Sequence, residues 1–215
     1  MFNKMENDWP RQEHFWHYFN TVPCTYSLTV KIDITALLEA LKENNIKTYP
    51  AQLYLLSAVV NRLKAFRMGV SENNEVGYWD ISHPSYTIFN NETKTFSSIW
   101  TCFDEDFNKF YQSCLADIEL YTHTTKFSPK SEEPENTFNI SSIPWVDFTS
   151  FNLNIYGDER YLAPIFTIGK YIEENGKTLM PLAIQVHHAA CDGYHVGLFI
   201  EILRDMIENY HSWLR

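Results

Sequence analysis

The strongest constraint on the fold comes from residues 179–213. The nearly apolar run 179–186 has the length and composition of a buried strand. Two adjacent histidines, His187 and His188, follow it, and Asp192 with Gly193 marks a turn. A long amphipathic helix comes next, with a buried stripe formed by Val196, Phe199, Leu203, Met206 and Tyr210. The chain therefore contains a buried strand that leads into a helix, and the histidines lie at the junction of the two.

The rest of the chain mixes helices and strands without the regular alternation of a doubly wound parallel sheet. Apolar spacing predicts helices over 35–44, 50–66, 107–121 and about 192–213. Alternation and residue type predict strands over 26–33, 78–81, 86–89, 96–102, 138–143, 148–155, 164–171 and 179–187. These elements favour the α/β class. Within it, we expect an α+β two-layer sandwich in which a mixed β-sheet packs with helices. The length of 215 residues favours a single domain over 1–215.

Composition excludes several classes of protein. Hydrophobic residues make up 45% of the chain, which is enough to bury a core and rules out global disorder. The chain carries 17 Lys+Arg against 27 Asp+Glu, a formal net charge of -10, so general nucleic-acid binding is disfavoured. A small anionic ligand is still compatible with this charge, because repulsion is screened within about 10 Å.

The four cysteines show neither zinc nor redox spacing. The N-terminal residues contain no apolar signal segment, and no window approaches roughly 18 consecutive apolar residues. We therefore expect free thiols in a cytoplasmic protein that does not span a membrane.

Three histidines, a cysteine and an aspartate lie close together between His187 and His195. The end of a strand suits catalytic groups, because the strand fixes their position and the adjoining turn leaves room for a substrate. Neighbouring side chains of a strand point to opposite faces, so one of His187 and His188 would face a pocket and the other would be structural. Three interpretations are open: a catalytic histidine, hydrogen-bonded core histidines, or metal ligands. Metal is disfavoured, because a turn separates His188 from Asp192 and no HExxH set occurs.

A general-base histidine needs a pKa near the working pH, a partner that fixes its tautomer, and a substrate proton within about 3 Å. Asp192 is a candidate for the partner, but a role as N-cap of the final helix explains it equally well. No GxSxG motif offers a nucleophile. This favours direct transfer to an activated substrate hydroxyl over a covalent enzyme intermediate.

Residues 185–195, Gln-Val-His-His-Ala-Ala-Cys-Asp-Gly-Tyr-His, resemble the HHxxxDG signature of the chloramphenicol O-acetyltransferases. Dihydrolipoamide acyltransferase domains and nonribosomal condensation domains share this signature more loosely. Six further segments resemble the chloramphenicol O-acetyltransferases in order and spacing: 9–15, 22–26, 95–98, 140–145, 150–154 and 163–171. The likeness covers essentially the full chain. It implies a mixed sheet flanked by helices and a homotrimer whose active sites lie between subunits.

The resemblance also implies acetyl transfer from acetyl-CoA to the 3-hydroxyl of chloramphenicol, and so resistance to that antibiotic. His188 matches the family's general base, Ser141 its hydroxyl donor to the oxyanion, and Thr167 a threonine that holds a water near the same intermediate. Asp192 matches an aspartate that pairs with an arginine, here Arg11, instead of with the base. The resemblance implies that a backbone carbonyl fixes the tautomer of His188.

Two larger groups match the family's binding residues. The expected substrate-binding residues are Tyr18, Cys24, Tyr26, Phe96, Leu153 and Ile165. The expected cofactor-binding residues are Lys47, Tyr49, Trp145, Lys170 and Tyr171. The first group suits an apolar aryl ligand, and the second suits an anionic cofactor with an adenine ring. Taken singly, each residue has a plainer explanation in core packing or ordinary solvation.

Two positions depart from the family pattern. Ser128 stands where many relatives carry an aromatic residue of the antibiotic pocket, and Ala190 replaces a more frequent valine. Two rival functions follow the leading one: acyl transfer to a different hydroxylated or thiol acceptor, and a non-catalytic trimer that sequesters an aromatic ligand.

Overall fold

A mixed seven-stranded sheet is the main feature of the fold. The computed structural model describes residues 1–153, 155 and 160–214. The strand order is β2 (Thr25–Asp33), β10 (Lys177–His187), β8 (Ile165–Gly169), β7 (Thr137–Ile143), β5 (His83–Asn90) and β6 (Thr95–Trp100), and β9 (Ile172–Glu174) pairs with β10. The β5–β7 and β7–β8 pairs are parallel and the others are antiparallel. β10 lies between β2 and β8, and its residues from 180 to 187 are all buried.

A small antiparallel sheet stands apart from the large one. It consists of β1 (Phe2–Lys4), β4 (Val76–Trp79) and β3 (Met68–Val70), in that order across the sheet. The strand predicted over 78–81 overlaps β4, whereas β1 and β3, with three residues each, are too short to be predicted from alternation.

Five α-helices accompany the sheets in the described residues: α1 (Gln12–Trp16), α2 (Thr35–Glu43), α3 (Thr48–Arg62), α4 (Phe107–Tyr121) and α5 (Gly193–Glu208). A π-helical turn spans His17–Thr21, and 3₁₀ turns span Lys64–Arg67 and Tyr210–Ser212. Every residue of α3 from 50 to 60 is buried, since α4 and α5 both pack against this helix. The buried apolar residues of helices and sheet join in one cluster that reaches from Phe15 to Ile207.

The mixed sheet packed with helices, predicted from the sequence, is confirmed. The strand predicted over 148–155 is wrong, because the described residues of this segment form none. Phe148 packs instead over Gly169, where an added Cβ would come within 2.9 Å of its ring. The backbone N–H of Leu153 donates to the side chain of Gln185 at 2.8 Å rather than to a neighbouring strand. The alternating apolar residues of 148–153 thus contact other parts of the chain without joining a ladder.

Candidate active site

The end of β10 holds His187 in the core. Its ring is buried, and Nδ1 accepts a hydrogen bond from the backbone N–H of Ala189 at 3.1 Å. Its carbonyl oxygen accepts from the N–H groups of Ala190 and Cys191, both at 3.0 Å. His187 therefore closes the turn that follows β10.

His188 lies beside two tyrosine rings. Its imidazole stacks on Tyr18, with ring centroids 3.8 Å apart and planes 10° from parallel, and Tyr26 approaches edge-on at 5.2 Å. Its backbone N–H donates to the carbonyl of Cys24 at 2.9 Å. Nδ1 of His188 is buried, and the described residues supply no hydrogen-bond partner for it. The carbonyl bond that the resemblance implied at this atom is therefore not found, and ring contacts hold the imidazole instead.

Ser141 and Thr167 face each other on the parallel strands β7 and β8. They are partners in the register, and their hydroxyl oxygens are 3.0 Å apart. Thr167 is buried, whereas Ser141 is partly exposed. The buried Thr167 thus orients the Ser141 hydroxyl, which is still accessible to a ligand.

A cavity of about 1150 Å³ opens beside Ser141. Three of the expected substrate-binding residues line it, namely Phe96, Leu153 and Ile165, and so do four of the expected cofactor-binding residues, namely Tyr49, Trp145, Lys170 and Tyr171. The fifth, Lys47, is exposed and directly precedes Thr48, which also lines the cavity. A mostly apolar wall with a few polar groups is typical of a small-molecule site.

His188 is distant from Ser141 within one chain. Across the sheet, Ser141 pairs with Thr167 and Thr167 pairs with Ala183 of β10. His188 lies five positions beyond Ala183, and a strand rises about 3.3 Å per residue, so about 16 Å along the strands separates His188 from this row. The residues expected to bind substrate fall into two sets: the cavity set above, and Tyr18, Cys24 and Tyr26 beside His188.

Arg11 ties the turn after β10 to the N-terminal region. Its guanidinium donates to the carbonyl oxygens of Ala189 at 3.0 Å and Ala190 at 2.9 Å. Its Nε lies 3.2 Å from Oδ2 of Asp192 in an ion pair. Asp192 and Arg11 are thus in contact, whereas no described hydrogen bond joins Asp192 to His188.

Asp192 also begins α5. Its carboxylate accepts from the N–H of Tyr194 at 3.1 Å, and Oδ1 lies 2.8 Å from Nδ1 of His195. Burial raises the pKa of Asp192, but the charge and hydrogen bond of His195 and the charge of Arg11 outweigh it, so the pKa lies below its ordinary value. The N-cap role and the ion pair, which the sequence left as alternatives to a histidine partner, are both present in one side chain.

Hydrogen bonds fix two of the tyrosines on the cavity wall. The Tyr49 hydroxyl donates to the carbonyl of Thr87 at 2.9 Å, and the Tyr171 hydroxyl accepts from Gln52 at 2.7 Å. Burial raises the pKa of both phenols, so they remain neutral at ordinary pH. Trp145, in contrast, is 60% exposed and contacts the ring of Phe89, with centroids 4.7 Å apart in a T-shaped arrangement.

The sequence reasoning missed Phe127 as a cavity residue. Phe127 lines the cavity and meets Phe96 edge-on, with ring centroids 5.9 Å apart. It directly precedes Ser128, the position at which the resemblance to the family leads us to expect an aromatic residue. An aromatic residue next to that departure was the signal that could have found it.

In the described residues, no group of three or more His, Cys, Asp or Glu side chains is arranged to hold a metal ion. Over the same part of the chain, no helix has the length and apolar character needed to cross a bilayer.

The family described as chloramphenicol acetyltransferase matches residues 1–204. The chain belongs to the chloramphenicol acetyltransferase family. A chloramphenicol acetyltransferase of Bacillus pumilus is 56% identical over 214 residues, which cover 100% of this chain and 97% of the relative. One from Clostridium perfringens is 50% identical over 214 residues, covering 99% and 98%. As a member of the chloramphenicol acetyltransferase family, the chain is an acyltransferase.

Solved structures share the fold of this family member. A chloramphenicol acetyltransferase structure matches with a TM-score of 0.88 at 22% identity, over 96% of this chain and 100% of the other. The dihydrolipoamide acetyltransferase of Azotobacter vinelandii matches with a TM-score of 0.66 at 15% identity, over 94% and 88%. At these identities the likeness shows the fold alone.

Proposed function

We propose that this protein transfers the acetyl group of acetyl-CoA to the 3-hydroxyl of chloramphenicol and thereby confers resistance to the antibiotic. Family membership and relatives at 50% and 56% identity support the reaction. The observation that carries the proposal is the cavity of about 1150 Å³. In it, Ser141 lies among apolar side chains suited to an aryl ring, together with Trp145 and Lys170, which suit an anionic nucleotide.

His188 acts as the general base in this proposal. Its Nδ1 is buried, so Nε2 takes the proton of the substrate hydroxyl while the hydroxyl oxygen attacks the thioester carbonyl. Ser141 donates a hydrogen bond to the oxyanion that forms, and Thr167 orients the Ser141 hydroxyl and holds a water near the intermediate. When the C–S bond breaks, the CoA thiolate leaves with the proton from His188. No covalent acyl-enzyme is formed.

The working unit in this proposal is a homotrimer with its sites between subunits. The base and the oxyanion donor must both reach one tetrahedral intermediate, but about 16 Å along the strands separates the two within a chain. A second copy removes the difficulty if its His188, with Tyr18, Cys24 and Tyr26, closes the cavity that carries Ser141. The exposed Phe96 and Leu153 in that cavity are then covered by substrate and partner.

Each of the expected binding residues in the cavity has a role in this proposal. Phe96, Leu153 and Ile165 contact the aryl ring of the acceptor, whereas Tyr49, Trp145 and Tyr171 contact the CoA moiety. Lys47 and Lys170, both exposed, pair with its phosphates. Arg11 and Asp192 hold the turn that carries His188. The chemistry is assigned to side chains throughout, and we propose that the enzyme works in the cytoplasm without a metal.

Release of free CoA thiol tests the function directly. We expect thiol release that depends on chloramphenicol in the wild type and is nearly abolished in His188→Ala, while the exposed His14→Ala variant retains it. Mass spectrometry should detect chloramphenicol heavier by one acetyl group. Retained turnover in a folded His188→Ala variant would contradict the assigned base. If thiol is released only with another hydroxylated or thiol acceptor, that compound and not chloramphenicol is the substrate. Binding of chloramphenicol without any acetylated product would favour the sequestering trimer.

A further inference from the structure

Residues 124–131 run beside β6, the strand at one edge of the large sheet. The backbone N–H of Ser98 donates to the carbonyl of Phe127 and the hydroxyl of Ser97 donates to the carbonyl of Lys126, both at 2.7 Å. The segment has no regular structure of its own. Its position therefore depends on contacts with β6 and with the helix that precedes it.

Lys130 connects this segment to the preceding helix and to β6 through its charged side chain. Its Nζ lies 2.7 Å from Oδ1 of Asp117 on α4 and 4.4 Å from the ring centroid of Trp100 on β6. The other carboxylate oxygen of Asp117 accepts from the hydroxyl of Thr101 at 2.6 Å. The two charged side chains are only 20% and 17% exposed, so solvent and salt screen them less than a surface pair. The pair joins the segment to both α4 and the end of β6.

Phe127 is the residue through which this arrangement reaches the cavity. It is 66% exposed, yet it lines the cavity and packs edge-on against Phe96. Ser128, where the resemblance to the family leads us to expect an aromatic residue, is itself too small to form such a wall. The backbone of the segment must therefore stay in place for Phe127 to supply the ring.

We propose that the Asp117–Lys130 ion pair positions Phe127 as a wall of the acceptor site and so sets the affinity for an aryl acceptor. This inference rests on the proposed function. Neither Asp117 nor Lys130 belongs to the described lining of the cavity, so both are positioning residues. Loss of the pair weakens acceptor binding in the ground state and the transition state alike, which raises KM and leaves kcat nearly unchanged.

Lys130→Met tests the proposal, since it keeps an aliphatic stem over Trp100 and removes the charge. We expect KM for chloramphenicol to rise about fivefold, with kcat and KM for acetyl-CoA within about twofold of wild type. Lys130→Arg should restore the low KM, because it keeps the charge. Lys4→Met is the matched control, since Lys4 forms an exposed ion pair with Glu75 in the small sheet and should change none of these values.

Phe127→Ala shows whether Lys130 acts through this ring. In the Phe127→Ala background, Lys130→Met should raise KM no further. A folded Lys130→Met variant with wild-type KM for chloramphenicol would overturn the inference, and so would equal losses for both substrates or a failure of Lys130→Arg to rescue. If Lys130→Met does not fold, the isosteric Asp117→Asn decides by the same criteria. Absence of chloramphenicol-dependent thiol release in the wild type would instead refute the proposed function.

Discussion

His187 and His188 are neighbours in the chain, yet their rings have different surroundings. His187 is buried and accepts a hydrogen bond from the turn, whereas His188 is partly exposed beside Tyr18 and Tyr26. We expect His187→Ala to lower the free energy of unfolding by about 2–4 kcal/mol, because it empties a core site and leaves the Ala189 N–H unpaired. Urea denaturation measures this loss. An unchanged urea midpoint would show that His187 does not support the turn.

Ser141 and Thr167 form a second pair at the scale of single side chains. If Ser141 donates to the oxyanion, Ser141→Ala should lower kcat on the order of 10²-fold and leave KM nearly unchanged, because the bond is made only in the transition state. Steady-state kinetics by thiol release measures both constants. Ser113→Ala, an exposed serine on α4 outside the described cavity lining, is the matched control and should retain a kcat close to wild type. A change confined to KM would contradict the assigned role of Ser141.

The turn between β10 and α5 depends on Arg11 and Asp192. The pKa of Asp192 is lower in the folded state than in the unfolded state, so its charged form stabilises the fold above the unfolded pKa of about 3.9. This stabilisation is lost as the pH falls through the folded pKa. Asp192→Asn keeps the N-cap and removes the charge. With the carboxylate 36% exposed, we expect it to lower the free energy of unfolding by about 1 kcal/mol at pH 7.

Urea midpoints from pH 7 down to pH 3 test this prediction. The difference between wild type and Asp192→Asn should shrink as the pH falls below about 4, where the carboxylate gains its proton. Asp205→Asn is the control, since Asp205 is exposed on the same helix. A difference that grows as the pH falls below about 4 would reverse the sign and refute the role of the charged carboxylate.

Long periodic elements could be predicted from the sequence, and contacts between distant segments could not. The periodicity of 107–121 and 35–44 gave α4 and α2 almost to the residue, because one face of each helix is buried. The segment 148–155 has the alternation of a strand, but Gly169 lets Phe148 lie on the sheet and Gln185 captures the Leu153 N–H. Phe148 and Leu153 meet these partners only in the tertiary structure, so the alternation of apolar residues alone predicted a strand that does not form.

The same limit applies to the candidate site. The motif around His188 could be recognised from adjacent residues, and the family likeness supplied eight of the residues that line the cavity. Phe127 was missed because its role depends on how a segment without regular structure lies against β6. The separation of His188 from Ser141 was equally hidden, since it follows from the register of β7, β8 and β10.

At the scale of the whole molecule, a site shared between two copies predicts complementation. His188→Ala chains lack the base but carry Ser141, and Ser141→Ala chains lack the oxyanion donor but carry His188. In trimers assembled at random from equal amounts of both, about a quarter of the sites combine an intact His188 with an intact Ser141. Such mixtures should recover about a quarter of the wild-type kcat per site, although each parent is nearly inactive.

Co-expression, or denaturation and joint refolding, produces the mixed trimers, and thiol release measures their activity. Separately folded parents mixed without refolding are the control, because intact trimers should exchange no chains and gain no activity. Sedimentation of the wild type should give three times the mass of the 25.3 kDa chain. A site contained within one chain would leave every mixture at the activity of its parents, because each chain then lacks one essential group. If activity is recovered in the refolded mixtures and not in the unrefolded control, His188 and Ser141 must act from different subunits.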